Sequence, residues 1–463
     1  MATKRAYRLC ADVTMQFTCK LDRVVEILSP AIEFAARELQ RGQPVARLVE
    51  QLVARFPAAT RFFDLDVTRD DEFGLKSEYL FPRDNPSIAW TLRNGHGRLS
   101  STALGTEVTE SDVAGFLENL GTSPCRDVEE HPVGSMLLRS GAITTDRRRE
   151  HGALQRAGPG TIRLQHAGLL VATGRAKLLV DPHIRSLCEP EDLRSNFSCR
   201  DLLDGLTVVL ISHGHLDHFS ATSLAMIPRN TPIVVPRVPR ASLLCEDLVA
   251  HMRYLGFTTI HAPEWYAPPL RFDDLEVHVL PFFGEQPLVR EFVRHPDLRN
   301  WGNTYAIRTP RETMWILVDS GNDALGAMRD VAKLVRARVG PVDAILSNLR
   351  PIQMGAPLAI TGGSYWLSLS VEQMRRFEST TRDVITLGPD GVAEICAAAN
   401  ARFFLPYAHW WSPLGTSPDD GGLLLRLAAS LRSRAAATTI VDWSIGDCFS
   451  PTAHGFSLRP LGR

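Results

Sequence analysis

Ile211-Ser212-His213-Gly214-His215-Leu216-Asp217-His218 packs three imidazoles and a carboxylate into the six positions from 213 to 218. The cluster follows directly on the largely apolar run Leu206-Thr207-Val208-Val209-Leu210. A buried strand that ends in metal-binding side chains points to a dinuclear metal site. Alternate residues of an extended backbone point the same way, so 213, 215 and 217 are expected to converge, and a turn must bring in 218.

Composition bounds what surrounds that site. A chain of 463 residues is longer than one ordinary core supports, which predicts two domains. With 44% hydrophobic and 22% charged residues it reads as a globular protein of ordinary make-up. A formal net charge of −1 supplies no basic field for nucleic acid or an anionic membrane surface, so neither is expected as a partner. No apolar run approaches the roughly 18 residues that span a bilayer. Met1-Ala2-Thr3-Lys4-Arg5-Ala6-Tyr7 leads into no signal-peptide core, and a cytoplasmic location is expected. The eight cysteines include no CxxC pair and read as reduced structural thiols.

Residues 1–130 read as a small α+β unit: β-like over Tyr7 to Cys19, helical near Val25–Arg41 and Pro44–Phe56, with Thr109-Glu110-Ser111-Asp112 opening a helix that Gly121 would end. This unit holds no compact His/Cys/Asp cluster, so a recognition or accessory role is expected. Residues 131–160 are polar, charged and turn-forming, and read as a linker. From residue 161 to 463 short apolar strands alternate with helices, beginning with Ile162–Ala172, Lys177–Val180 and Thr207–Ile211. Helices are expected near Ala221–Ile227, Ala241–Leu255, Ala324–Arg338, Val371–Glu378 and Asp419–Ser433. This pattern predicts an α/β fold, an αββα sandwich with its site along one edge.

His213-Gly214-His215-Leu216-Asp217-His218 resembles the HxHxDH motif of the metallo-β-lactamase fold. The resemblance implies that His213 and His215 bind one metal, and Asp217 and His218 the other. Three further pieces occur in order. Leu178-Leu179-Val180-Asp181-Pro182-His183 ends in an aspartate that would hold the metal loop by hydrogen bonds. Trp315-Ile316-Leu317-Val318-Asp319 delivers a carboxylate able to bridge two metals, and Phe403-Phe404-Leu405-Pro406-Tyr407-Ala408-His409 delivers a last imidazole. His166, Asp181 and Tyr407 are the candidate catalytic residues beside these ligands. Phe282, Phe283, Trp301, Tyr365, Trp366, Trp410 and Trp411 are candidates to line the pocket.

Hydrolases of this fold usually place a third histidine on the first metal. Here the strand Val277-His278-Val279-Leu280-Pro281 leads into Phe282-Phe283-Gly284-Glu285-Gln286, and Glu285 stands where a ligand is expected; the alternatives are a pure salt-bridge role for Glu285, or His278 or His295 as the ligand. Glu285 would leave four imidazoles (213, 215, 218, 409) against three carboxylates (217, 285, 319), a harder donor set that favours iron or manganese over zinc. A glutamate here resembles the diiron β-hydroxylases of this fold. That resemblance implies two iron ions, O2 as co-substrate, an external two-electron donor, and an amino-acid-derived substrate that is a small molecule or is tethered to a carrier protein or peptide. A homodimer is compatible with it. The competing expectation is a dinuclear metallohydrolase, of lactonase, phosphodiesterase or esterase type, using a metal-bridging hydroxide.

Overall fold

The computed structural model describes residues 158–184, 197, 199–215, 217–285, 295–352, 384–408 and 418–461. Before these it describes 6–9, 14–18, 41–64, 74–81, 89–94, 97–99, 110–122, 128–139 and 143–146, with single positions between 28 and 38. Two sheets lie face to face between layers of helices, the expected αββα sandwich. One sheet runs in the order Ile260–His261, Ile233–Val234, Val208–Leu210, Lys177–Val180, Leu169–Ala172, Gly160–Arg163, Asp447–Thr452, Gly455–Pro460. The other runs Leu270–Phe272, Leu275–Pro281, Asn303–Arg308, Thr313–Val318, Ala344–Ser347, Phe403–Pro406, Thr439–Ile440.

Period-two patterning decides which side chains meet. Leu178, Val180, Val208 and Leu210 point between the sheets, where they join Val277, Val279, Ile307, Ile316, Leu346 and Leu405. Leu179 and Val209 point outward against Leu224, Leu248 and Met252. In the second sheet Trp315 and Leu317 turn outward to helices Met328–Arg338, Gly388–Ala399 and Pro418–Ser433. The strands Lys177–Val180 and Val208–Leu210 are parallel, as are Thr313–Val318, Ala344–Ser347 and Phe403–Pro406. Their carboxyl ends therefore open on one edge of the sandwich, where Asp181, His213, Asp319 and Tyr407 follow.

Several boundaries differ from the sequence expectation, each for a local reason. Ile162–Ala172 is two strands, because the chain reverses at Gln165–Gly168 and Gly168 N–H closes on Gln165 O at 2.8 Å. The helix expected over Ala241–Leu255 starts at Leu248, where the Asp247 side chain accepts from Ala250 N–H. The helix expected over Ala324–Arg338 starts at Met328, since Asn322–Asp323 and Gly326–Ala327 pair as a small hairpin first. Gly388–Ala399 is a helix that the sequence reading did not include; Pro389 stands in its first turn, where no amide donor is needed. Val371–Glu378 lies outside the described residues.

In the N-terminal part, Thr14–Thr18, Ala89–Asn94 and Gly97–Leu99 form a small sheet, whose strand Thr14–Thr18 lies against helix Ala221–Ala225. The stretch read as linker carries helix Pro132–Arg139 and strand Ile143–Asp146, which pairs with Ala6–Leu9. Val113, Phe116, Leu117 and Leu120 of helix Glu110–Thr122 share one core with Val133, Leu137, Ile162 and Leu224. Among the described residues no helix is long and apolar enough to cross a membrane.

Candidate metal centre

The metal-ligand side chains meet where the parallel strands end. His213 follows Val208–Leu210 and is bridged to Gly302. The backbone stops being extended at His215, whose carbonyl accepts from His218 N–H at 2.9 Å and Phe219 N–H at 2.7 Å. Because the turn begins there, Asp217 leaves the 213/215 side and joins His218, which differs from a simple alternation through 217. Three overlapping groups of donor atoms result: His213, His215 and Glu285; His213, His218 and Asp319; and, on the far side, His166, Asp217 and His218.

In the first group Glu285 Oε2 lies 3.2 Å from His215 Nδ1 and 3.6 Å from His213 Nε2, and the two ring nitrogens are 3.2 Å apart. In the second, His218 Nε2 is 2.8 Å from Asp319 Oδ2 and 3.8 Å from Asp217 Oδ2. His213, His218 and Asp319 are at most 1% exposed, whereas the side chains of His215 and Asp217 keep 27% and 18% of their surface, so the cluster opens on their side.

Asp181 sets the imidazole tautomers. Its carboxylate accepts from Ser212 N–H at 2.7 Å, from the Ser212 hydroxyl at 2.5 Å and from His218 Nδ1–H at 2.9 Å. With the hydroxyl proton spent on Asp181, Ser212 Oγ accepts from His213 Nδ1–H at 3.0 Å. Both imidazoles thus donate through Nδ1 toward Asp181 and turn Nε2 into the cluster, the orientation a metal requires. Burial, followed by the neighbouring His218 and His215, holds His213 well below the usual imidazole range, so its Nε2 carries a lone pair. Burial alone would lower His218 too, but the Asp319 and Asp217 carboxylates outweigh it and raise the ring well above its ordinary value. His218 Nε2 and Asp319 Oδ2, 2.8 Å apart, are a nitrogen and a carboxylate donor turned on the same point. Nitrogen and carboxylate donors converging at these distances fit metal ions.

The backbone aims these groups at some cost. His166, Asp181, Glu285, Val318 and Ala408 have φ of +48°, +40°, +53°, +48° and +62°. Left-handed φ is unusual outside glycine, and for the β-branched Val318 it is strained. Glu285 follows Gly284 (φ +97°), where a Cβ would meet Gly321 N at 2.3 Å and Ile385 O at 2.5 Å. Glycine at 284 and 321 lets the Glu285 and Asp319 segments touch: Gly321 N–H donates to Phe283 O at 2.5 Å, and Glu285 N–H to Ile385 O at 2.9 Å.

The other sequence candidates fall as follows. His166 Nε2 is 3.2 Å from Asp217 Oδ2. Tyr407 is fully buried, and burial, then Asp181 and Asp319, hold its phenol well above the ordinary range. His278 pairs with Glu276 at 2.8 Å and His295 packs edge-on to Phe81, both away from the cluster. Phe282 stacks on the His213 ring at 5.0 Å, while Phe283 and Trp301 pack on Trp265. His409, Tyr365, Trp366, Trp410 and Trp411 lie outside the described residues. Two site residues had no signal in the sequence. Asn300 donates to Glu285, and His183, buried edge-on to His166, has its pKa lowered to about 3 by burial, then by His166 and His218.

No protein-family model matches the chain. The 4-amino-L-phenylalanyl-(CmlP peptidyl-carrier-protein) 3-hydroxylase of Streptomyces venezuelae is 28% identical over 260 residues, 52% of this chain and 43% of that relative. The match thus spans less than half of the relative's length. The crystal structure of CmlA, a diiron β-hydroxylase from Streptomyces venezuelae, superposes with a TM-score of 0.55 at 16% identity, over 99% of each chain. A point mutant of CmlA gives 0.53 at 15% identity, over 94% of this chain and 98% of that one.

Proposed function

We propose that this chain, a protein of the metallo-β-lactamase fold, is a dinuclear-iron, O2-dependent hydroxylase. Its substrate is derived from an amino acid and tethered to a carrier protein or peptide in a biosynthetic pathway. The observation that carries this reading is Glu285, whose carboxylate oxygen faces His213 and His215 where a third imidazole would suit zinc. The name of the 28%-identical relative, a hydroxylase of a carrier-bound amino acid, supports the substrate class.

In this reading His213, His215 and Glu285 would hold one ion, Asp217, His218 and His409 the other, and Asp319 would add its carboxylate to the centre. Two bound irons, with O2 and two electrons from an external donor, would supply the oxidising power to place oxygen in a C–H bond. The chain's own groups do the rest. Asp181 keeps His213 and His218 turned inward. Phe282, Tyr305 and Tyr407 wall the buried side and exclude water. The open side at His215 and Asp217 admits the substrate. His166 orients the Asp217 carboxylate, and Tyr407 stays a neutral phenol. Residues 1–130 serve as the recognition unit. Its Phe81 ring lies under the Arg240 guanidinium at 3.7 Å, and Leu80 O accepts from Leu243 N–H at 2.9 Å.

Metal analysis combined with O2 uptake tests the proposal. Protein from iron-supplemented cells should carry two irons per chain, absorb in the near ultraviolet, and consume O2 once reduced. Stoichiometric zinc with full activity in the absence of O2 would identify a hydrolase instead.

A further inference from the structure

We propose that Asn300 is a positioning residue that fixes which lone pair of Glu285 Oε2 turns toward His213 and His215. The inference rests on the metal-centre reading above. Oε2 is the Glu285 oxygen that faces both imidazoles, and the Asn300 Nδ2 amide donates to that same oxygen at 3.0 Å. The amide takes one of its two lone pairs and leaves the other for the cluster. This orientation gives the carboxylate a donor, whereas the reverse would set the amide oxygen against a carboxylate oxygen. Asn300 Nδ2 also lies 3.3 Å from His215 Nε2, so one side chain touches two of the three groups that close this half of the site.

Asn300 is 1% exposed, and the backbone on both sides of it is tied down. On one side Arg299 donates to Phe282 O at 3.2 Å and pairs with Asp323 Oδ2 at 2.8 Å, an oxygen that also accepts from Gly284 N–H at 3.1 Å. Arg299 therefore grips the segment that carries Glu285. On the other side Trp265 Nε1–H donates to Gly302 O at 3.0 Å, and Asn303 N–H to Ser212 O at 2.7 Å, beside His213. The amide is held as a fixed dipole between the Glu285 segment and the His213 strand end. Without it the carboxylate is free to rotate and offer both oxygens. An aspartate at 300 would keep the shape but set two carboxylates against each other.

Cobalt(II) titration of the metal-free full chain tests this, reading affinity and the visible absorption bands, which report coordination geometry. Parent, N300A, N300D and N300S are compared, together with thermal unfolding of each metal-free protein. The parent should take up two ions. N300A and N300D should lose about 10- to 100-fold in affinity for one of the two, with altered bands, and N300S, which keeps a donor, should recover part of the loss. Parental affinity and spectrum in N300D would overturn the positioning role. Equal weakening at both ions, matched by a drop in metal-free Tm or by failure to fold, would make Asn300 a packing residue and overturn it too. A parent chain that binds no cobalt overturns the metal-centre reading itself.

Discussion

Burial holds the His183 ring neutral with a pKa of about 3, and the more deeply buried His213 also sits well below the usual range. Below about pH 6.5 the unfolded chain binds protons at both positions and the fold refuses them, so stability falls as pH falls. Each such group contributes a slope of about 1.4 kcal/mol per pH unit, for His183 down to about pH 3. His218, raised well above its ordinary value, works the other way: its contribution is whole below about pH 6.5 and is lost as pH rises through its folded value. Urea unfolding of metal-free protein across pH 4–8 should therefore show acid lability, and H183Q should flatten part of it. An unchanged acid slope in H183Q would mean His183 takes no part. At Glu285 the expected effect concerns metal choice. E285H should shift competitive loading from iron toward zinc, and unchanged iron preference with unchanged O2 uptake would remove Glu285 from the ligands. His213, His215, Asp217 and His218 were legible because they are contiguous, and Glu285 because it follows a strand end. Asn300 and His183 were not, since their contacts exist only once distant segments fold together.

Strand ends do most of the aiming, and they depend on backbone crossings that hydrophobic patterning does not encode. The apolar runs at Lys177–Val180 and Thr207–Ile211 are strands as read, since short apolar runs with β-branched residues, bounded by turns, suit a buried strand. The reversal inside Ile162–Ala172 and the helix after Gly388 were missed, since a turn within an apolar run and a Gly-Pro helix start leave no periodic trace. The crossing that bears on the site is at Gly284 and Gly321, where an added Cβ would strike backbone atoms that cannot move aside. G284A and G321A should each cost about 2–4 kcal/mol, or prevent folding, and should release metal. Chemical denaturation and metal content of the two variants check this; near-parental values would mean that the segments can part without loss. D181N should leave the fold largely intact yet weaken metal binding, because an amide cannot accept from Ser212 N–H, Ser212 Oγ–H and His218 Nδ1–H together. Equilibrium dialysis with iron or cobalt measures it, and parental affinity would show that Asp181 does not set the tautomers.

Across the whole molecule, the shared core of Val113, Phe116, Leu117 and Leu120 with Ile162 and Leu224 governs how residues 1–130 can be studied. Truncation at residue 130 strips those side chains from the outer face of the first sheet. The remainder should aggregate or unfold at lower denaturant, whereas truncation just before Glu110 should keep a cooperative transition. Equal transitions in the two truncated chains would show that this shared core carries little stability. The recognition role proposed for residues 1–130 is better probed by point changes at Phe81 or Arg240.

The backbone contact between Phe283 and Gly321 bears on how the two halves of the centre fill. One flank carries Glu285 and the other Asp319, and both lean on Ile385. Ordering either flank around a first ion lowers the entropy cost of ordering the other, which is a coupling free energy between two binding events. On the two-metal reading, the first ion should tighten the second site, so the second dissociation constant should lie below the value expected for independent sites.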